Sequence, residues 1–277
     1  MKAIVTLAVG DTYVKMFERH CRKNWQEYAD RYGYDLIVIK ESLDNSERAK
    51  SRSPAWQKLL ILSQDWSKKY EQIVWIDADI IINNKNAYDI CAGVPIEKVG
   101  AVESYSIPAR DLHQISLQRS YDNWRKKGIK YIDNITPESY YINRGIPGKG
   151  LDNVVQTGSF VCSPKYHKNI FDQIYNNYED SHGAEWNYEM PAMSYELVKN
   201  NMVHWISPSF NFCVEGIMAA FYPNELNKRI RIYNRIKKYF HFKIKKNSVL
   251  ENIYSLSIFM HFAGCNELMY ELVGIIN

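Results

Sequence analysis

Residues 72–82 read Gln72-Ile73-Val74-Trp75-Ile76-Asp77-Ala78-Asp79-Ile80-Ile81-Ile82. Apolar residues occupy both parities of the run, the pattern of a strand buried on both faces of a parallel sheet. Two aspartates interrupt it where Ile73 to Ile76 gives out. Open α/β sheets bind ligands beyond the carboxyl ends of their strands, so the pair stands where a ligand is expected. Read as strand residues, Asp77 and Asp79 point to the same side. Two carboxylates on one side repel unless a cation lies between them. Mg²⁺ or Mn²⁺, held by few carboxylates and completed by substrate phosphates, meets that demand. An Asp-x-Asp triplet is common by chance, and its weight here comes from the strand before it.

Working outward, Ala3 to Val9 predicts a first buried strand, and Lys15 to Tyr32 a helix stopped by Gly33. Tyr34 to Ile39 predicts a second strand, Trp56 to Lys69 a second helix, and Gln72 to Ile82 a third strand. Val99 to Glu103 adds a fourth. Alternating strands and helices predict an α/β fold with a mostly parallel, Rossmann-like sheet flanked by helices. The pattern loosens over residues 104–150, which end in a glycine-rich loop, Gly145 to Gly150. Val154 to Ser163 then predicts a strand, and Tyr166 to Tyr178 and Met190 to Asn200 predict helices, the latter with Pro191 in its first turn. No internal repeat is visible. The expectation is one compact domain with a nucleotide-binding half, residues 1–103, and an acceptor-binding half, residues 104–277.

The 277 residues are 46% hydrophobic and 24% charged, which excludes collagen, coiled-coil rods and disorder for the chain as a whole. Five scattered cysteines with no Cys-x-x-Cys pair support neither a disulfide framework nor a zinc site, and favour a reducing compartment. The opening run MKAIVTLAVG is too short for a signal peptide or a span, and no apolar run reaches about 18 residues. A cytoplasmic protein with at most peripheral membrane contact is expected. Between Asn227 and Leu250 there are nine Lys and Arg and no acid, with Ile230, Tyr233, Ile236 and Phe240 near helical spacing. Such a basic amphipathic segment, centred on residues 228–246, suits an anionic membrane surface or phosphorylated lipid. A solvated helix packed by its apolar side explains it equally well. No motif of a nucleic-acid module accompanies it, so no nucleic-acid partner is expected.

His261, in Phe259-Met260-His261-Phe262-Ala263-Gly264-Cys265, reads either as a satisfied core histidine or as a ligand. Gly264 would let the backbone come close to a bound group. An imidazole added to two carboxylates would favour Mn²⁺.

Five blocks in chain order carry a family resemblance. Tyr28-Ala29 with Gly33-Tyr34-Asp35, Trp56-Gln57-Lys58 with Trp75-Ile76-Asp77-Ala78-Asp79, Gln156-Thr157-Gly158-Ser159-Phe160, Glu189 to Tyr195, and His261-Phe262-Ala263-Gly264-Cys265 resemble the blocks of glycosyltransferase family 34. That family holds GT-A galactosyl-, mannosyl- and xylosyltransferases. The resemblance implies a GT-A fold, a nucleotide-sugar donor (UDP favoured over GDP), an Mn²⁺ or Mg²⁺ site made by Asp77, Asp79 and His261, and retention of anomeric configuration. It departs where Gln156 replaces an Asn, Met190 a Gln, and Asn266 a diphosphate-contacting Lys. The function it implies is transfer of a hexose, galactose-like favoured, to a saccharide or lipid-linked acceptor in surface polysaccharide or glycoconjugate synthesis.

On that reading Gln156, Glu185 and Glu189 stand near the sugar; were Glu189 a base on the opposite face, the outcome would be inversion. Thr6, Ala8, Gly10, Asp11 and Tyr13, at the end of the first strand, are expected against the base and ribose. Tyr13 can stack on the base or pack on a helix. Lys58 is expected to reach phosphate or ribose, with a solvated helix lysine as the alternative. Asp77, Ala78 and Gly264 complete the donor-binding set. Tyr105, Tyr140, Tyr141, Trp186 and Tyr222 offer stacking faces for an acceptor. A sugar nucleotidyltransferase is disfavoured, because Leu7-Ala8-Val9-Gly10-Asp11 has one Gly and no Arg. The non-enzymatic reading is a peripheral membrane or carbohydrate-binding protein.

Overall fold

The computed structural model describes residues 1–179, 188–223 and 248–276. Glu185, Trp186 and the basic segment 228–246 lie outside them. Strand β1 (Lys2–Leu7) leads through Gly10, at φ +86°, into helix α1 (Asp11–His20). Helix α2 (Arg22–Tyr32) follows at once, so the single helix expected from Lys15 is divided at Cys21, whose buried thiol meets the Ala78 carbonyl at 3.3 Å. Gly33, left-handed at φ +70°, ends α2 before β2 (Tyr34–Ile39).

After the single turn α3 (Glu47–Lys50), the helix expected over 56–69 is two runs of 3₁₀ turns, Pro54–Ser63 and Asp65–Lys69. Trp56, Gln57, Lys58 and Leu59 are all buried in succession. Four consecutive buried residues, spaced by 100° in an α-helix, do not fit one of its faces.

The stretch 72–82 is divided as well. Strand β3 (Gln72–Ile76) and strand β4 (Ile80–Ile82) belong to different sheets, and Asp77 to Asp79 form the turn between them. Strand β5 (Val99–Glu103) precedes a 17-residue helix, α4 (Arg110–Lys126), in the region read as loop-like. Only Ser116 and Tyr121 of α4 are buried, so no apolar stripe announced it. The short α5 (Pro137–Ile142) starts from a capping box between Thr136 and Ser139. Then come β6 (Val155–Cys162), α6 (Pro164–Asn177), α7 (Met190–Lys199), β7 (Val203–Trp205), β8 (Phe212–Cys213), α8 (Val214–Phe221), α9 (Ser248–Leu256), β9 (Phe259–His261) and α10 (Asn266–Ile276).

The main sheet runs β2-β1-β3-β6-β5-β7. Strands β2, β1 and β3 are parallel, β6 is antiparallel to both of its neighbours, and β7 is parallel to β5. Strand β6 therefore lies between two strands of residues 1–103. Alternate residues of β1 and β3 serve two cores. Ile4, Val74 and Ile76 pack with Phe17, Trp25, Tyr28 and Met260 on one face, and Ala3, Val5, Ile73 and Trp75 with Trp56, Phe171 and Leu197 on the other. A small third cluster joins Tyr105, Tyr140, Tyr141 and Tyr195. The second sheet, β4-β9-β8, places Ile80 and Cys213 on either side of His261. No helix among the described residues is long and apolar enough to cross a membrane.

Candidate functional site

Pairing of β4 with β9 brings the distant histidine to the aspartates. With Ile80 opposite His261 and the Phe262 amide donating to the Asp79 carbonyl at 3.1 Å, the imidazole is carried to the acidic turn. His261 Nε2 lies 3.3 Å from Asp79 Oδ1 and 4.0 Å from Asp77 Oδ2, and one ligand atom from each residue falls within 4.8 Å of the others. The sharing of a side thus comes from a turn, not from the strand alternation expected for positions 77 and 79.

The side chains of this group are held from behind. Trp75 Nε1 donates to Asp77 Oδ1 at 2.7 Å, and Lys58 Nζ lies 3.0 Å from the same oxygen. Behind His261, the Asn211 amide is fully buried. Its orientation is fixed by the Ser159 N–H, which needs an acceptor: the amide oxygen takes that bond at 2.9 Å and a longer one from Gly158 N at 3.3 Å, and its nitrogen donates to His261 Nδ1 at 2.8 Å. The ring proton is then on Nε2, facing Asp79. Burial raises the pKa of the Asp79 carboxyl, but the His261 ring beside it prevails and holds it below its ordinary value. A divalent cation on Nε2 needs that nitrogen's lone pair, so the ring proton would pass to Nδ1 and the Asn211 amide would turn its oxygen, 2.8 Å away, to accept it, while Asp79 stays ionised. Burial disfavours a second proton on the ring, but the Asp79 carboxylate prevails and raises the His261 pKa. That proton competes with the cation, so Mn²⁺ affinity is expected to be higher at pH 8 than at pH 6, read by calorimetry, and a flat profile would remove His261 from the proposed ligands.

Gly158 makes the approach of the imidazole possible. A Cβ there would lie 2.5 Å from His261 Cε1 and 2.7 Å from Nδ1. Its neighbour Thr157 contributes twice: its carbonyl accepts from Lys58 at 3.1 Å and its hydroxyl donates to Glu189 at 2.7 Å.

Lys58 is buried, and its three N–H donors are taken by Asp77, Glu189 (2.9 Å) and Thr157. It braces the two carboxylates and also lines the cavity, with all three of its donors engaged by the protein rather than turned to a phosphate or ribose. Burial opposes its charge, yet Asp77 and Glu189 together raise its pKa above the ordinary lysine value. Glu189 is 1% exposed, just ahead of α7, with Lys58 and Thr157 on the same carboxylate oxygen.

A cavity of about 680 Å³ opens over this cluster. Asp77, Ala78, Asp79, Lys58, Gln156, Glu189, His261 and Gly264 all line it, as do Tyr13 and Tyr140. The β1 expectation is off by one parity. Leu7 and Val9 line the cavity, whereas Thr6 and Ala8 are buried outside its lining and Gly10 and Asp11 are exposed outside it. Tyr105 and Tyr141 are core residues, and Tyr222 packs against the core. Arg144, Tyr188 and Asn134 line the cavity without any signal in the sequence, since all three sit in irregular chain. Asn211 and the bracing role of Lys58 were equally invisible, because both depend on contacts across the fold.

The chain superposes on a glycosyltransferase involved in the glycosylation of the major capsid of PBCV-1, with a TM-score of 0.53 at 14% identity, over 99% of this chain and 100% of that one. The fold is GT-A. Lower similarity is found to the galactosyltransferase LgtC in complex with donor and acceptor sugar analogues (TM-score 0.45, 10% identity, 99% of this chain and 96% of that one). It is similar in degree to GlyE from Streptococcus pneumoniae TIGR4 (TM-score 0.45, 13% identity, 99% of this chain and 60% of that one). No family model and no curated protein matches the sequence.

Proposed function

We propose that the protein is a divalent-metal-dependent glycosyltransferase that moves a hexose, galactose-like favoured, from a UDP-sugar to a saccharide or lipid-linked acceptor. The observation that carries this reading is the convergence of Asp77, Asp79 and His261 in one cavity of a GT-A fold. Two carboxylates and one imidazole with ligand atoms within 4.8 Å are a donor set that fits Mn²⁺, or Mg²⁺ less well. The cavity volume falls in the range of small-molecule sites. When bound, the cation supplies Lewis-acid neutralisation of the departing diphosphate.

The remaining work is done by the chain. Lys58 and Trp75 fix one oxygen of Asp77, leaving the other toward His261. Tyr13 and Tyr188, each about half exposed on the cavity wall, offer rings to the base or sugar. Gln156 keeps its amide oxygen on the Gly158 N–H at 3.1 Å and lines the floor where the sugar would rest. Because Lys58 and Thr157 both engage Glu189, its carboxylate is poorly placed to take a proton from an acceptor hydroxyl. That supports retention over inversion, with the departing phosphate oxygen receiving the acceptor's proton. Peripheral membrane contact through residues 228–246 belongs to the same proposal where the acceptor is lipid-linked.

Hydrolysis of UDP-glucose, UDP-galactose and GDP-mannose, followed with and without Mn²⁺, tests the reading. At least one UDP-sugar is expected to turn over only with metal, and Asp79→Asn to lower that rate at least a hundredfold. No turnover and no binding across the panel would overturn the proposal.

A further inference from the structure

The charged groups lining the cavity are unevenly paired. Lys58, Asp77, Asp79, Glu189 and His261 satisfy one another at the metal-binding end. Arg144 also lines the cavity, and among the described residues no carboxylate pairs with it. Its guanidinium lies over the Tyr140 ring, 4.2 Å from the centroid, and Nη1 donates to the Tyr140 carbonyl at 3.0 Å. A guanidinium has five N–H donors in a planar fork, so this tether leaves an edge for bidentate binding of an anion. A guanidinium tethered on the wall of a substrate cavity, with no carboxylate of its own among the described residues, is placed to pair with an anionic group on a ligand.

Its place in the fold says which ligand. Arg144 follows α5, and α5 is joined to α7 where the Tyr141 and Ser194 hydroxyls meet. Ser194 also accepts from the amide of Val155, the first residue of β6. Arg144 therefore stands on the β6 and α7 side. The nucleotide is expected against the end of β1 and the chain just after it, where Leu7, Val9 and Tyr13 line the cavity, and β3 lies between β1 and β6.

We infer that Arg144 reads an anionic substituent, a carboxylate or phosphate, on the acceptor, so that the acceptor is an acidic or phosphorylated saccharide. This rests on the transferase reading and adds its substrate class. Charge-assisted hydrogen bonds of this kind correspond to roughly ten- to hundredfold in affinity.

The test is calorimetric, on protein saturated with Mn²⁺ and UDP. The probes are p-nitrophenyl β-glucuronide against p-nitrophenyl β-glucoside, and glucose 6-phosphate against glucose. Expected is a ten- to hundredfold preference for at least one acidic member; the pair that shows it separates a carboxylate from a phosphate source. Arg144→Gln is expected to erase the preference and Arg144→Lys to keep part of it, with UDP affinity retained in both. Equal binding of acidic and neutral members, binding of neither, or a preference that survives Arg144→Gln would overturn the inference. So would loss of UDP affinity in Arg144→Gln, which would assign the guanidinium to the donor diphosphate. Failure of the wild-type protein to bind UDP would instead sink the transferase reading itself, so the two failures are told apart.

Discussion

Lys58→Met is expected to lower stability by about 3–5 kcal/mol, because it leaves a buried carboxylate with no counter-charge. Lys58 and Glu189 have side chains only 3% and 2% exposed, so water cannot take over the role of the ammonium. For a chain of 277 residues that loss corresponds to a fall in Tm of roughly 5–9 °C. Asp77 would lose one of the two donors on Oδ1 as well, so Mn²⁺ affinity falls with stability. The companion variant Lys58→Met/Glu189→Gln removes the stranded charge, and is expected to recover at least half of the lost Tm. A single variant melting within about 2 °C of wild type, or a pair no more stable than the single, would show that the ammonium is not what holds Glu189 in place.

Gly158→Ala acts on the other ligand. The added methyl carbon would lie 2.5 Å from His261 Cε1 and 2.9 Å from the Asn211 amide oxygen, and neither has room to retreat. His261 is pinned in register between Ile80 and Cys213, and Asn211 is fully buried. Forcing in one carbon costs about 1–3 kcal/mol. The larger consequence is for the cation: displacing the imidazole is expected to weaken Mn²⁺ binding by about ten- to a hundredfold, the range seen when a ligand loses its supporting contacts. Calorimetric titration with MnCl₂ measures it. Wild-type affinity in a folded Gly158→Ala protein would mean that the ring is not a ligand.

How far the sequence could be read follows from how local each feature is. The continuous apolar run Ile73-Val74-Trp75-Ile76 and the acidic pair at its end were legible, because a buried strand and its polar end are written in consecutive residues, whereas the turn that aims the two aspartates was not. The meeting of His261 with Asp79 was accessible only through the family resemblance, since it depends on strands formed by residues 80–82 and 259–261. The ligand wall of β1 was misread because a one-residue difference moves each side chain to the opposite face: Leu7 and Val9 line the cavity, while Ala8 joins the core. Helix α4 was missed because it buries almost nothing. Lys58 is read in the sequence as reaching phosphate or ribose, with a solvated helix lysine as the alternative, because nothing in Trp56-Gln57-Lys58 says that Glu189, more than a hundred positions later, will close over it.

The late arrival of β9 has a consequence for synthesis in the cell. Asp79 leaves the ribosome roughly 180 residues before His261, a delay of about 10–35 s at ordinary elongation rates. Throughout that interval the nascent polypeptide carries the two carboxylates without the imidazole, and without the strand that will press it against them. On the proposed metal-dependent reading, cation capture waits until translation has passed codon 261, and an mRNA truncated upstream of it would yield a product lacking the imidazole.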